Sequence, residues 1–117
     1  MAKTVWISGA SRGIGKSAAL HFAHAGYKIA AGYHENDAAM QSLMQQLAEI
    51  GAMAVPVKGD IADPAAAEGM AEYICSTLGG IDVLIANAGV ANYSMLEDMA
   101  YNEWRRVIDT DLTGVYN

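Results

Sequence analysis

At 117 residues, 53% hydrophobic and only 17% charged, the chain has the length and composition of one well-buried globular domain, not of a disordered segment. Seven Lys and Arg against 13 Asp and Glu give a formal charge of −6, which argues against general phosphate-backbone binding and so against a nucleic acid partner. No apolar run approaches the ~20 residues of a membrane span, and the N-terminal one is too short for a signal-peptide core, so no membrane association and a cytoplasmic setting are expected.

Short apolar runs alternate with longer helical patterns. TVWIS (4–8) reads as the first strand. From Ile14 to Ala25, apolar and small residues recur at helical spacing, and Gly26 stands where a C-terminal cap belongs. His21 and His24 lie on this helix without a third ligand nearby, so they read as surface or satisfied histidines and no metal is expected. YKIAAGY (27–33) is the second strand. Asn36 or Asp37 is placed to cap a helix running through Met40, Leu43, Met44 and Leu47 to Ile50, just before Gly51.

MAVPV (53–57) is the third strand, and Pro56 pushes it towards a sheet edge because proline offers no ladder donor. Asp63-Pro64 is a compact helix start, an N-cap followed by proline at the first helical position. That helix continues to about Leu78 and ends at Gly79-Gly80. It carries Cys75, the single cysteine, whose apolar-periodic surroundings predict a buried structural thiol. The methionines at helical spacing are expected to fill the core. IDVLIANAG (81–89) is the most uniformly apolar strand, as for one covered on both faces. A last helix is expected to start near Asp98–Ala100 and to run towards the end of the chain. Strand–helix alternation with short connections, and no linker or repeat, predicts a doubly wound α/β domain with a parallel sheet over residues 1–117.

Between the first strand and first helix stands SGASRGIG (8–15), with Gly9, Gly13 and Gly15. A glycine-rich turn there leaves backbone N–H groups unobstructed at the positive end of a helix, the requirement for holding a pyrophosphate. SGASRGIG resembles the T-G-x-x-x-G-x-G loop of the short-chain dehydrogenase/reductase family, with Ser8 in place of the usual threonine. Three further features resemble that family in the same order: Gly59-Asp60-Ile61 after the third strand, ANAG (86–89) after the fourth, and EWRRVIDTDLTGVYN (103–117). The pattern is nearest to the bacterial 3-oxoacyl-carrier-protein reductases and acetoacetyl-CoA reductases.

The resemblance implies a Rossmann-like sheet of strand order 3-2-1-4 and a nicotinamide dinucleotide as cofactor. It implies cofactor contacts from Gly9, Ser11, Arg12, Gly13, Ile14 and Gly15 in the loop, and from His34 after the second strand. It implies others from Asp60 and Ile61, with Asp60 towards the adenine, and from Asn87, Ala88 and Gly89. Read on its residue type alone, Asp60 is also a turn cap before the Asp63 helix, and Asn87 a turn-former. The second strand ends in Ala31-Gly32-Tyr33-His34, with no acid until Glu35. A carboxylate there serves the ribose 2′-hydroxyl of NAD. Its absence, with Arg12 in the glycine loop, favours NADP(H) over NAD(H).

Family members use a serine and a Tyr-x-x-x-Lys pair for catalysis. No tyrosine of this chain has lysine four residues on. The resemblance therefore predicts the nucleotide-binding half of a carbonyl reductase, truncated before its catalytic serine, tyrosine and lysine and inactive alone. Asp111 occupies the family position of an asparagine that helps to hold a water of the proton relay, and a carboxylate lacks the amide's donors. The alternative is a small complete protein that binds a dinucleotide, or only self-assembles, without chemistry. In either case the fourth strand would form an open edge, and Trp104, Val107, Ile108 and Leu112 would lack neighbours, which predicts a homo-oligomer.

Overall fold

The computed structural model describes residues 2–117. Val5 and Ile7 of the first strand, β1 (Thr4–Ile7), pack into one hydrophobic cluster, and Trp6 packs against another. This is the period-two alternation of a strand covered on both faces. The first cluster adds Ile29 and Ala31 of β2 (Lys28–Tyr33) to helices α1 (Gly13–His24) and α2 (Asp37–Ile50), which contribute Ala19, Ala23, Met40, Leu43 and Leu47. The second joins Ala30 and Val57, the latter from β3 (Ala54–Lys58), to Met70, Ile74 and Leu78 of α3 (Pro64–Leu78). The sheet is parallel, in the order β3-β2-β1-β4, with β4 spanning Val83–Ile85.

The helix boundaries follow their capping chemistry. Asn36 caps α2 by accepting the Ala39 N–H at 3.0 Å, and Asp63 caps α3 by accepting that of Ala65 at 3.0 Å, ahead of Pro64. Pro56 sits on the edge strand, where its missing N–H costs no ladder bond. After β4 the chain makes a 3₁₀ turn (Leu96–Asp98) and enters α4 (Tyr101–Ile108). A π-helical turn (Asp109–Thr113) and a last helical turn, α5 (Gly114–Tyr116), follow. Gly114 lies against Ile61, and Asn117 Nδ2 donates to the Ile61 carbonyl at 2.8 Å, so this segment docks on the loop that follows β3.

Two sequence expectations are corrected, on Cys75 and on the fourth strand. Cys75 is exposed, because the inward stripe of α3 is Ala67, Met70, Ile74 and Leu78, and the next residue after Ile74 turns outward. The methionines at helical spacing do fill the core, Met40 and Met70 buried and Met44 packed against the first cluster, while Met53 and Met95, outside the helices, are exposed. The fourth strand is shorter than 81–89 and is not covered on both sides. Leu84 is 55% exposed, and the residues beyond Ile85 leave the sheet to build a loop instead. As expected for an open edge, β4 pairs with β1 alone among the described residues. Trp104 and Leu112 are exposed, whereas Val107 and Ile108 are half-buried. His21 and His24 are also exposed, with His21 Nδ1 on the Ser17 carbonyl at 2.8 Å. No helix among the described residues is long and apolar enough to cross a membrane.

Candidate functional site

The turn that follows β1 is tied to both neighbouring strands. Ser8 N–H donates to the Ile85 carbonyl at 3.1 Å, and Ala10 N–H donates to that of Gly32 at 2.8 Å. The buried Ser8 hydroxyl accepts the N–H groups of Asn87 and Ala88, each at 3.0 Å, and donates to Ile85 O at 3.4 Å. Asn87 completes the knot: its Nδ2 donates to the carbonyls of Ser8 and Gly9, each at 3.1 Å. Sequence reasoning noted Ser8 only as a variant of a motif, and its hydroxyl turns out to join the β1 and β4 loops.

The loop glycines answer different needs. Gly9 and Gly13 have φ of +66° and +60°, a left-handed conformation costly for other residues. Gly15 is ordinary in backbone but tightly packed. A Cβ there would run into the Gly9 carbonyl and lie 2.7 Å from Asn87 Nδ2. A Cβ on Gly13 would meet nothing within 4 Å, because the loop faces open space at that point. Arg12, the residue preceding α1, makes no side-chain cap, and the first turn holds no acid. The N–H groups of that turn, which have no intrahelical acceptor, are left at the surface of the loop.

That surface is one wall of a cavity of about 760 Å³ outside the carboxyl ends of the strands, where open α/β sheets hold ligands. Of the residues singled out in the sequence, Gly9, Ser11, Arg12, Gly13, Ile14, His34, Asp60, Ile61, Asn87, Ala88 and Gly89 all border it. Gly15 does not; it is buried behind the loop. Arg106 and Thr110 complete the wall from α4 and the turn after it. Their spacing of i, i+4 puts both on one helical face. That signal was in the sequence, but only the docking of the C-terminal segment on Ile61 sets this face, with Arg106 exposed and Thr110 half-buried, at the cavity border.

Asp60 has two neighbours to serve. Its Oδ1 accepts the Ala62 N–H at 3.0 Å, the turn-capping role open to it from sequence, while the residue also borders the cavity. Asp111, in the π-helical turn, accepts the Val90 N–H at 2.8 Å through Oδ1 and so fixes the end of the β4 loop. At the rim, Tyr33 donates its hydroxyl to Asp37 Oδ1 at 2.8 Å, and Lys58 Nζ lies 3.1 and 3.2 Å from the Asp37 oxygens. The hydrogen bond to Asp37 holds the Tyr33 hydroxyl above the ordinary tyrosine range. The bonds from Tyr33 and Lys58 hold the Asp37 carboxyl low, and Asp37 in turn raises Lys58. All three groups are close to solvent, so the cluster orients the ends of β2 and β3 more than it stabilises the fold.

Residues 3–117 match the family model described as short chain dehydrogenase. A 3-oxoacyl-(acyl-carrier-protein) reductase FabG of Staphylococcus aureus (strain Mu50) is 35% identical over all 117 residues, which cover 48% of that protein. An L-rhamnose 1-dehydrogenase (NAD(P)(+)) of Sphingomonas sp. (strain SKA58) is 36% identical over 114 residues, 97% of this chain and 45% of the relative. A crystal structure of a short-chain type dehydrogenase/reductase from Mycobacterium marinum superposes with a TM-score of 0.92 at 37% identity, covering 97% of this chain and 46% of that one. A Serratia marcescens short-chain dehydrogenase/reductase mutant reaches a TM-score of 0.94 at 26% identity. The chain thus spans about half the length of the curated relatives it matches. With its sheet order and its glycine turn, it belongs to the short-chain dehydrogenase family.

Proposed function

We propose that the chain binds NADP(H) and is the dinucleotide-binding part of a carbonyl reductase for a substrate such as a 3-oxoacyl thioester. The observation that carries this reading is the uncapped, acid-free first turn of α1 opening onto the cavity. Free N–H donors at the positive end of a helix match a pyrophosphate, and the open space over Gly13 leaves room for its oxygens. The volume lies in the range of about 300–1,000 Å³ usual for small-molecule sites. Ser11, Gly13 and Ile14 would hold the diphosphate, and Asn87, Ala88 and Gly89 would border the nicotinamide ribose. Asp60 and Ile61 would face the adenine. Arg12 and His34 would meet a 2′-phosphate, at a strand end where Tyr33 stands in place of a carboxylate. When bound, the nicotinamide supplies or accepts hydride.

Within these 117 residues there is no Tyr-x-x-x-Lys to protonate an alkoxide, and Asp111 Oδ1 is committed to the Val90 amide. The chain alone is therefore expected to bind cofactor without turning over a ketone. Titration of NADPH fluorescence with the purified chain should give saturable binding, tighter for NADPH than for NADH, and Arg12→Ala should erode that preference. No change at millimolar cofactor would overturn the nucleotide site, and ketone reduction by the chain would overturn the inactivity.

The apolar side of β4 and α4 favours self-association as well. Leu84 is exposed on an unpaired strand edge, and Trp104 and Leu112 are exposed beyond it. Sedimentation velocity should show a species larger than 12.3 kDa that dissociates on Leu84→Lys substitution. A monomer at all concentrations would refute the association.

A further inference from the structure

The chain has three arginines, and their partners differ sharply. Arg105 is committed to Asp109, Nη2 to Oδ1 at 2.6 Å, with its guanidinium also near the Trp104 ring. Arg12 and Arg106 have no carboxylate within ion-pairing distance among the described residues, and both border the same cavity from different elements. In a chain of net charge −6, two unpaired guanidiniums in one cavity are an uneven distribution. Arg12 belongs to the glycine turn. Arg106, exposed at the cavity border, and Thr110 belong to the segment whose later residues Gly114 and Asn117 rest on Ile61, the neighbour of Asp60.

On the reading above, a dinucleotide with its phosphates on the first turn of α1 would set its base by Asp60 and Ile61, in the same cavity that Arg106 borders. A planar cation with five donors suits a heteroaromatic ring, by stacking on its face or by donating to its ring nitrogens. Resting on the nucleotide-binding reading above, we infer that Arg106 is a base-contacting residue that strengthens binding of adenine nucleotides whether or not they carry a 2′-phosphate. This separates it from Arg12, whose proposed contact depends on that phosphate.

The test compares dissociation constants of NADPH and NADH for the full chain and its Arg106→Gln, Arg106→Lys and Arg105→Gln variants, with far-ultraviolet circular dichroism as a folding check. Arg106→Gln should weaken both nucleotides by the same factor, about tenfold. Arg106→Lys should recover little, because an ammonium has the charge without the plane, and Arg105→Gln should match the parent. Unchanged affinity in a folded Arg106→Gln chain would overturn the inference. A loss confined to NADPH, or full recovery by lysine, would do so too, since either makes Arg106 a simple phosphate or charge contact. Failure of the parent to bind either nucleotide would instead remove the nucleotide reading, and this inference with it.

Discussion

Gly15→Ala should lower stability by about 3 kcal/mol, the upper part of the range for a forced overpacking. One added methyl must displace both the Gly9 carbonyl and the Asn87 amide, whose Nδ2 would lie 2.7 Å away. Both belong to the knot between the loops, and neither is the free end of a flexible side chain. In a domain of this size the melting temperature should fall on the order of 10 °C. Gly13→Ala is the control. Its Cβ meets nothing, so it should cost only the ~1–2 kcal/mol of a left-handed alanine, while its methyl group would stand in the open space proposed for the diphosphate. Thermal melts with and without NADPH separate the two. The parent should gain stability from the cofactor and Gly13→Ala should gain little. Equal melting points for the two variants would show that the close packing behind the loop is not what makes Gly15 necessary.

Ser8→Ala should cost about 1–3 kcal/mol, because it strands the Ala88 N–H and removes one of the two acceptors of Asn87 N–H, which keeps the Ile85 carbonyl at 3.0 Å. Ser8→Thr keeps the oxygen and should lose much less, the added methyl being the only new demand on a buried site. Denaturant unfolding of the three proteins gives the order. If Ser8→Ala unfolds at the parent midpoint, the hydroxyl is not what joins the loops.

Much of this arrangement was legible in the residues. The order 3-2-1-4 came from the family resemblance, while the edge position of β3 through Pro56 and the caps at Asn36 and Asp63 follow from local chemistry that tertiary packing did not override. Most of the cavity border was legible through the family pattern, since the glycine turn, Asp60 and Asn87-Ala88-Gly89 all lie just past strand ends. Phase and long-range docking were not. Cys75 and Ile74 are adjacent in a periodic stretch, and which of them faces inward depends on how α3 lies on the sheet. Arg106 reads as a surface charge until the segment beyond it is seen to rest on Ile61. The role of Ser8 needed a partner 79 residues away.

That knot has a thermodynamic consequence. The β4 loop forms a cavity wall only while β4, a strand of three residues with one open side, stays paired to β1. A ligand that touches both loops favours the paired state, and anything that covers the free side of β4 favours the same state. By linkage each must tighten the other, and by the same factor. On the proposed reading of cofactor binding and edge association, the two form one coupled equilibrium, joined through a serine hydroxyl and an asparagine amide.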